Sequence, residues 1–142
     1  MDALERAQRC AQIMLENDAS SRALGIEIEI REAGAALATM IVRDDMANGF
    51  NVCHGGLVFT LADTAFAFAC NAYNRETLSA NAKIKWLLPT RPGDRLVATA
   101  SEDRREGRHG YYSIVVRNQE DVIIAEFSGH SISTGAALFS EA

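Results

Sequence analysis

The sequence predicts an α+β fold, in which an antiparallel sheet wraps around one long central helix and a further helix lies at the N-terminus. Residues 55–73 are apolar nearly all round, as in a helix that is buried on most sides. The chain around them alternates with the period of strands and offers no second internal helix to connect parallel strands. A chain of 142 residues has the size of one domain, so we predict a single domain over residues 1–142.

The first third of the chain contains the N-terminal helix and a strand hairpin. Residues 3–17 carry apolar side chains on one face and predict an amphipathic helix, so residues 1–25 are assigned as a helix and a turn. From Ile26 apolar and charged residues alternate, and residues 35–42 are predicted as the return strand of a hairpin. Residues 43–54 lack periodicity and predict a loop long enough for a functional role.

The chain after the central helix is predicted to form four more strands. Pro89 ends the first of them, because proline cannot donate to a strand ladder. The last is expected to bend near Gly129, and residues from Gly135 onward are predicted to be a frayed tail. The predicted strands are 78–88, 95–100, 111–117 and 122–133.

Composition and charge exclude several classes of protein. The formal net charge of −5 argues against general nucleic-acid binding, which needs a basic face. The three cysteines form no C-x-x-C pair, we expect no signal peptide at the N-terminus, and the apolar run 57–70 is too short to span a bilayer. We therefore expect a cytoplasmic protein without membrane attachment.

A basic turn is predicted at Arg104, Arg105 and Arg108. Such a turn is usually a solvated hairpin end and, less often, contacts a nucleotide phosphate.

Asp63 is the most informative residue, because it lies inside the most apolar helix. Burying an unpaired carboxylate costs several kcal/mol, so this group needs a partner or a purpose. The helix dipole stabilises a carboxylate only within the first turn, and Asp63 lies beyond that turn. Asp63 is therefore a candidate catalytic group, a residue on a solvated stripe, or the acceptor of a hydrogen bond from Thr60 or Thr64.

The second candidate is the segment Cys53-His54-Gly55-Gly56 at the start of the central helix. The first N–H groups of a helix have no internal partner, so such a terminus can bind an anion or an oxyanion. The alternative is that the glycines serve only chain geometry. Cys53 beside His54 also suggests a thiol nucleophile with a neighbouring base, although adjacent side chains rarely face one another. The three histidines show no metal-ligand spacing, so no metal site is expected.

The spacing of the two candidates has a consequence for assembly. Gly55 and Asp63 are eight residues apart, which is about 12 Å along one helix. One ester or thioester carbonyl cannot touch both groups. A shared site therefore needs Asp63 from a second chain whose helix runs antiparallel, which predicts a homodimer with a two-fold axis between the helices.

The motifs together resemble those of the hot-dog-fold acyl-CoA thioesterases, and most closely the phenylacetate-degradation (PaaI-type) branch. The resemblance rests on Asn48-Gly49, Cys53-His54-Gly55-Gly56 and Leu61-Ala62-Asp63-Thr64-Ala65-Phe66-Ala67. It extends over nearly the whole chain, through Asp18-Ala19-Ser20, Ile84-Lys85-Trp86-Leu87-Leu88-Pro89 and Pro92-Gly93-Asp94.

The resemblance implies hydrolysis of an aromatic or medium-chain acyl-CoA to free acid and CoA, with no metal or redox cofactor. Asp63 matches the catalytic acid, acting as general base or nucleophile. Gly55 matches the residue whose backbone N–H polarises the thioester carbonyl, and Asn48 matches a polar group near that carbonyl or the attacking water. The resemblance also implies sites at dimer interfaces, with dimers that pair into homotetramers.

Four further residues are implied as substrate-binding. His54 is expected to shape the loop, and Gly56 follows it in the same motif. Ser79 is expected to help position water, and Asn81 to face the acyl pocket beside it. Departures from the family pattern at Phe50 and around Asn81 leave the acyl group open. A non-catalytic acyl-CoA-binding module and a hot-dog enoyl-CoA hydratase are the alternatives.

Overall fold

One antiparallel sheet and one long helix make up most of the molecule, as a computed structural model of residues 1–141 shows. The strand order is β1-β2-β4-β5-β6-β3, and every neighbouring pair is antiparallel. The predicted fold class is therefore confirmed. The helices are α1 (Ala3–Glu16), α2 (Ala19–Leu24) and α3 (Gly55–Cys70), with a short 3₁₀ turn at Asp44–Met46; the strands are β1 (Glu27–Glu29), β2 (Ala35–Ile41), β3 (Thr77–Trp86), β4 (Arg95–Glu106), β5 (His109–Arg117) and β6 (Ile123–Ser133).

The core lies between α3 and one face of the sheet. Leu61, Ala62 and Ala65 are fully buried, and the Phe66 ring packs 5.5 Å from Tyr112 and 5.9 Å from Phe127, measured between centroids. Each large apolar side chain buried in this way contributes about 1.5–3 kcal/mol. The alanines between them let the helix axis approach the strands closely.

Gly129 of β6 permits the closest of these approaches. A Cβ atom on this residue would lie 2.7 Å from the Phe66 ring, which is well inside van der Waals contact. Gly129, where a bend is expected from the sequence, is thus a place where the strand must carry no side chain, because the helix occupies that space.

The N-terminal segment 1–25 contains two helices instead of a helix and a turn. Asp2 and Glu5 form a reciprocal capping box at the start of α1. Asp18 then caps α2 by accepting from the Ser21 N–H at 2.9 Å, and Gly25 ends it with φ at +69°. Six residues are too few to show helical periodicity, so the sequence pattern missed α2.

Two predicted boundaries differ from the structure by three residues or more. The central helix ends at Cys70 and not at residue 73, because the Asn71 amide bonds both the N–H and the C=O of Thr77 and turns the chain into β3. β4 runs to Glu106 instead of residue 100, so Arg104 and Arg105 belong to a strand, and only 107–108 form the turn.

The prediction of a frayed tail from Gly135 is also wrong. The Asn74 Oδ1 accepts hydrogen bonds from the N–H groups of Leu138 and Phe139, at 2.9 and 3.0 Å. Glu141 pairs with Arg6 of α1 at 2.6 Å. These contacts join residues more than 60 positions apart, and a local pattern carries no signal for them.

β3 lies at the edge of the sheet, and within residues 1–141 its one strand partner is β6. The edge is ten residues long and apolar at its ends, where Leu78 is 58% and Trp86 53% exposed. Exposed edges are normally short or charged, because they otherwise pair with another chain. Among the helices of the described chain, none has the length and apolar character needed to cross a membrane.

We expect Gly129→Ala to destabilise the fold by about 1–3 kcal/mol, because the new methyl group would overlap the Phe66 ring. Urea unfolding measures the change. Gly49→Ala is the matched control, since a Cβ there meets nothing within 4 Å. Adding Phe66→Leu to Gly129→Ala should recover part of the loss; equal midpoints for Gly129→Ala and the wild type would contradict this packing.

Candidate functional site

The N-terminus of α3 presents an unused backbone donor. His54 caps the helix, and its Nδ1 accepts from the Gly56 N–H at 3.2 Å. The Gly55 N–H, one position earlier, donates to no group in residues 1–141. This donor is available for an anion or an oxyanion at the positive end of the helix.

Trp86 of β3 holds the same helix end in place. Its indole N–H donates to the Gly55 C=O at 3.1 Å, and its ring lies 3.2–3.5 Å from where a Cβ on Gly55 would be. The glycine at 55 is therefore explained by a packing contact in addition to its free N–H. Sequence reasoning missed Trp86 as part of the site, because its partner lies 31 residues away.

A cavity of about 320 Å³ opens beside Gly55. Its wall is mostly apolar and includes Val52, Val58 and Trp86, which suits an apolar group. Asn48 also lines it, and the Asn48 Oδ1 accepts from the N–H groups of Phe50 and Val52 at 2.9 and 3.3 Å. The Asn48 side chain thus holds the loop in shape, while its amide nitrogen donates to none of residues 1–141.

Asp63 lies two turns along the helix, on the face turned away from the sheet. Its carboxylate accepts no hydrogen bond from residues 1–141. Burial raises the pKa of the Asp63 carboxyl above its ordinary value, with no opposing charge or donor to lower it. A carboxylate of raised basicity is suited to take a proton from water.

The two threonines near Asp63 donate no hydrogen bond to its carboxylate. The Thr60 hydroxyl donates to the Gly56 C=O at 2.9 Å, and the Thr64 hydroxyl donates to the Thr60 C=O at 2.6 Å. This excludes the interpretation in which Asp63 is held by Thr60 or Thr64. Gly56, Thr60, Asp63 and Thr64 form a stripe of small and polar residues on the partly exposed face of α3.

Ser79 and Asn81 point to opposite faces of the sheet. Ser79 pairs with Ser131, which faces α3, whereas Asn81 pairs with His130 on the outer face, because the ladder bulges between the two residues. Without the bulge, residues two apart in a strand would share a face. The expectation that Asn81 faces the acyl pocket is therefore not met within this chain.

The thiol and metal alternatives gain no support from the structure. Cys53 is buried, and burial raises the pKa of its thiol, which disfavours the reactive thiolate. His109 and His130 approach one another, with Nδ1 and Nε2 2.8 Å apart. Nowhere in residues 1–141 do three or more His, Cys, Asp or Glu side chains gather in a way that could hold a metal ion.

One chain brings together only part of the predicted site. Asn48, Gly55 and the cap residue His54 lie at the N-terminal end of α3. Asp63 is about 12 Å further along the helix, and Ser79 lies seven residues from Trp86 on β3, which is about 23 Å along a strand. Asp63 thus lies midway along α3, and Ser79 lies near the opposite end of β3 from Trp86.

Replacing Asp63 with Asn should raise the melting temperature at pH 7 by about 2–5 °C. The raised pKa means that folding favours the protonated carboxyl. The protonated Asp63 therefore stabilises the folded state fully below about pH 4, the ordinary pKa of Asp. This stabilisation is lost as the pH rises through the higher pKa that Asp63 has in the folded protein. The gain from Asn should therefore disappear near pH 3.5. Glu120→Gln, at an exposed turn, is the control; a gain that does not change with pH would contradict the raised pKa.

Comparison with known proteins adds independent evidence. The thioesterase superfamily model matches residues 50–125. The chain is 41% identical to the acyl-coenzyme A thioesterase PaaI of Escherichia coli (strain K12) over 137 residues, covering 96% of this chain and 98% of that protein. A putative esterase of Archaeoglobus fulgidus is 32% identical over 125 residues, covering 88% of this chain and 81% of the relative.

The solved structures agree with the sequence relatives. The structure of the E. coli PaaI protein from the phenylacetic acid degradation operon has a TM-score of 0.93 and 40% identity, and the match covers 96% of this chain and 99% of that one. Sequence and fold therefore lead to the same result: the chain belongs to the thioesterase superfamily and has the hot-dog fold that its motifs predicted.

Proposed function

We propose that this protein is an acyl-CoA thioesterase that hydrolyses aromatic, phenylacetyl-like or medium-chain acyl-CoA to the free acid and CoA. The observation that carries the proposal is the free Gly55 N–H at the start of α3, together with the unpaired, partly buried Asp63 on the same helix. These are the two groups that thioester hydrolysis needs, an oxyanion donor and a base or nucleophile. The 41% identical E. coli relative is named an acyl-coenzyme A thioesterase.

The active site in this proposal lies between two copies of the chain. Gly55 and Asp63 are too far apart to act on one carbonyl, so each site combines Gly55 of one chain with the partner's Asp63. The stripe around Asp63 supports this arrangement, because small residues let a second antiparallel helix approach closely. The exposed apolar edge of β3 supports it as well, since pairing with a second β3 would cover Trp86 and Leu78.

In this dimer the thioester carbonyl accepts a hydrogen bond from the Gly55 N–H. When the carbonyl carbon is attacked, its oxygen becomes negative, and the helix terminus stabilises that charge. The partner's Asp63 either takes a proton from the attacking water, and the C–S bond then breaks and CoA leaves as the thiol with that proton, or attacks the carbon itself. In the second route the C–S bond breaks to leave a mixed anhydride, CoA takes a proton from solvent, and water hydrolyses the anhydride. A single turnover in ¹⁸O-labelled water detects direct attack when water opens the anhydride at the Asp63 carbonyl, because an enzyme oxygen then ends up in the acid product.

The acyl group is proposed to occupy the apolar cavity beside Gly55. Val52, Val58 and Trp86 give its wall an apolar surface without a charged side chain, which fits an aryl or alkyl group better than a polar one. The phenylacetic acid degradation operon of the E. coli relative makes phenylacetyl-CoA the first substrate to test.

The proposal includes no metal and no redox cofactor, because the donor and the base suffice for hydrolysis. The dimer is further proposed to pair into a tetramer, which light scattering of the purified protein would establish. The three free, buried cysteines fit a reducing compartment, so the cytoplasm is the proposed location. No observation in the site favours a hydratase, since the His54 ring caps α3.

Gly55→Pro should lower kcat for phenylacetyl-CoA about 10²–10³-fold, because it removes the N–H that stabilises the oxyanion. Proline is tolerated at the first position of a helix, and His54 already has the extended backbone, φ −56° and ψ 128°, that precedes proline. Gly55→Ala is the matched control, since it adds the same Cβ against Trp86 but keeps the N–H. A chelator is present in all assays, so that the rates are those of the protein without metal. Similar rates for the two variants would contradict the role of the Gly55 N–H as the oxyanion donor.

Mixed dimers test whether two chains share each site. Asp63→Asn and Gly55→Pro should each be nearly inactive as homodimers. When the two chains are co-expressed in equal amounts, half of the dimers are mixed, and one site in each mixed dimer is intact. About a quarter of the wild-type activity should therefore return. No recovery in verified mixed dimers would show that each site lies within one chain.

A further inference from the structure

A second cavity, of about 330 Å³, lies at the C-terminal end of α3. Its inner wall includes the buried residues Cys70 and Ser131, and its exposed side carries three arginines, Arg75, Arg105 and Arg108. The arginines come from the segment after α3 and from the β4–β5 hairpin, so the fold brings them together from distant parts of the sequence. We call this cavity the arginine pocket.

The arginine pocket is positive in an acidic protein. The chain has 19 acidic and 14 basic residues, yet none of the described residues that line the pocket carries a carboxylate. Glu102 lies behind Arg105 and pairs with it at 3.2 Å. Within residues 1–141, Arg75 and Arg108 have no such ion pair; Arg75 donates only to the Gly135 C=O, at 3.3 Å.

Two uncompensated cations around one cavity repel each other, and a bound anion would relieve that repulsion. The guanidinium group matches the oxygens of phosphate geometrically and binds them through charge-assisted hydrogen bonds. The hydroxyls of Thr77 and Ser131 in the same cavity already donate to the C=O groups of Arg75 and Gly110, so the guanidinium groups are the donors that a phosphate would use. The chemistry of the pocket therefore indicates a ligand that carries phosphate groups.

The position of the pocket connects it to the proposed active site. Within one chain it lies at the opposite end of α3 from Gly55, about 22 Å away along the helix. In the proposed antiparallel dimer, Gly55 faces the partner's Asp63. The partner's Cys70 is then seven residues further, or about 10 Å beyond the thioester along the helix axis. A phosphate group linked to the thioester through a long arm can reach the partner's pocket.

We propose that the arginine pocket binds the phosphate groups of the CoA substrate whose thioester lies in the neighbouring active site. Each CoA would then contact both chains, with Arg75 and Arg108 as the phosphate ligands. This inference rests on the proposed function. A free nucleotide bound independently of the substrate presents the same phosphate chemistry, and the experiment separates the two sources.

The first test compares two substrates, of which one carries the phosphate-bearing nucleotide of CoA and the other lacks it. Arg108→Ala should raise KM for phenylacetyl-CoA about 5–20-fold at unchanged kcat, because it removes one charge-assisted contact. KM for phenylacetyl-pantetheine, which has no phosphate, should stay the same. Arg104→Ala is the matched control: it removes an arginine from the same hairpin, but one that stacks on Tyr111 and pairs with Glu106 outside the pocket.

The second test uses adenosine 3′,5′-bisphosphate, the part of CoA that carries phosphates without a thioester. It should inhibit competitively against phenylacetyl-CoA, and its calorimetric affinity should fall by a similar factor in Arg108→Ala. An unchanged KM in Arg108→Ala, or binding that does not compete with the substrate, would overturn the proposal. Absence of hydrolysis with both thioesters would instead contradict the proposed function. Calorimetry with CoA would then test whether the arginine pocket binds its phosphates, and equal affinities of the wild type and Arg108→Ala for CoA would overturn that binding.

Discussion

The contact between Phe66 of α3 and the bare backbone at Gly129 of β6 sets the distance between helix and sheet. The strand carries no side chain at this point, so the aromatic ring packs directly against the strand and against Phe127 and Tyr112. The small residues Ala62, Ala65 and Ala69 continue the same close approach along the helix. A helix held this closely on one side leaves only its other face available for chemistry.

That other face carries the polar groups of the helix. Gly56, Thr60, Asp63 and Thr64 follow one another along it, and the threonine hydroxyls bond backward to helix carbonyls. Asp63 is left without a partner among residues 1–141, while burial raises the pKa of its carboxyl. The rigid rise of the helix keeps Asp63 about 12 Å from the Gly55 N–H. A straight helix thus separates the two groups, and in the proposed dimer a second copy of the chain brings them to one carbonyl.

The edge strand and the arginine pocket fit the same assembly. β3 leaves its outer edge unpaired within the described chain and exposes large apolar residues, which two copies would cover by pairing edge to edge. An antiparallel pair of α3 helices would also place the positive end of one helix near the basic cavity at the far end of the other. The acidic net charge and the local arginines are therefore compatible: the chain repels polyanions in general and keeps positive charge where one phosphate-bearing substrate would bind.

Much of this could be predicted from the sequence, because the signals are local. The apolar run of α3, the alternation in the strands and the adjacent residues around Gly55 and Asp63 each depend on neighbours along the chain. Their spacing alone, through the fixed rise of a helix, predicts that one chain holds an incomplete site.

The tertiary structure decided what depends on distant residues. Trp86 reaches Gly55 from another element, a bulge in β3 turns Asn81 away from Ser79, and Asn74 anchors the C-terminal segment. The gathering of Arg75, Arg105 and Arg108 around one cavity belongs to the same class, because only the packing of α3 against the β4–β5 hairpin makes them neighbours.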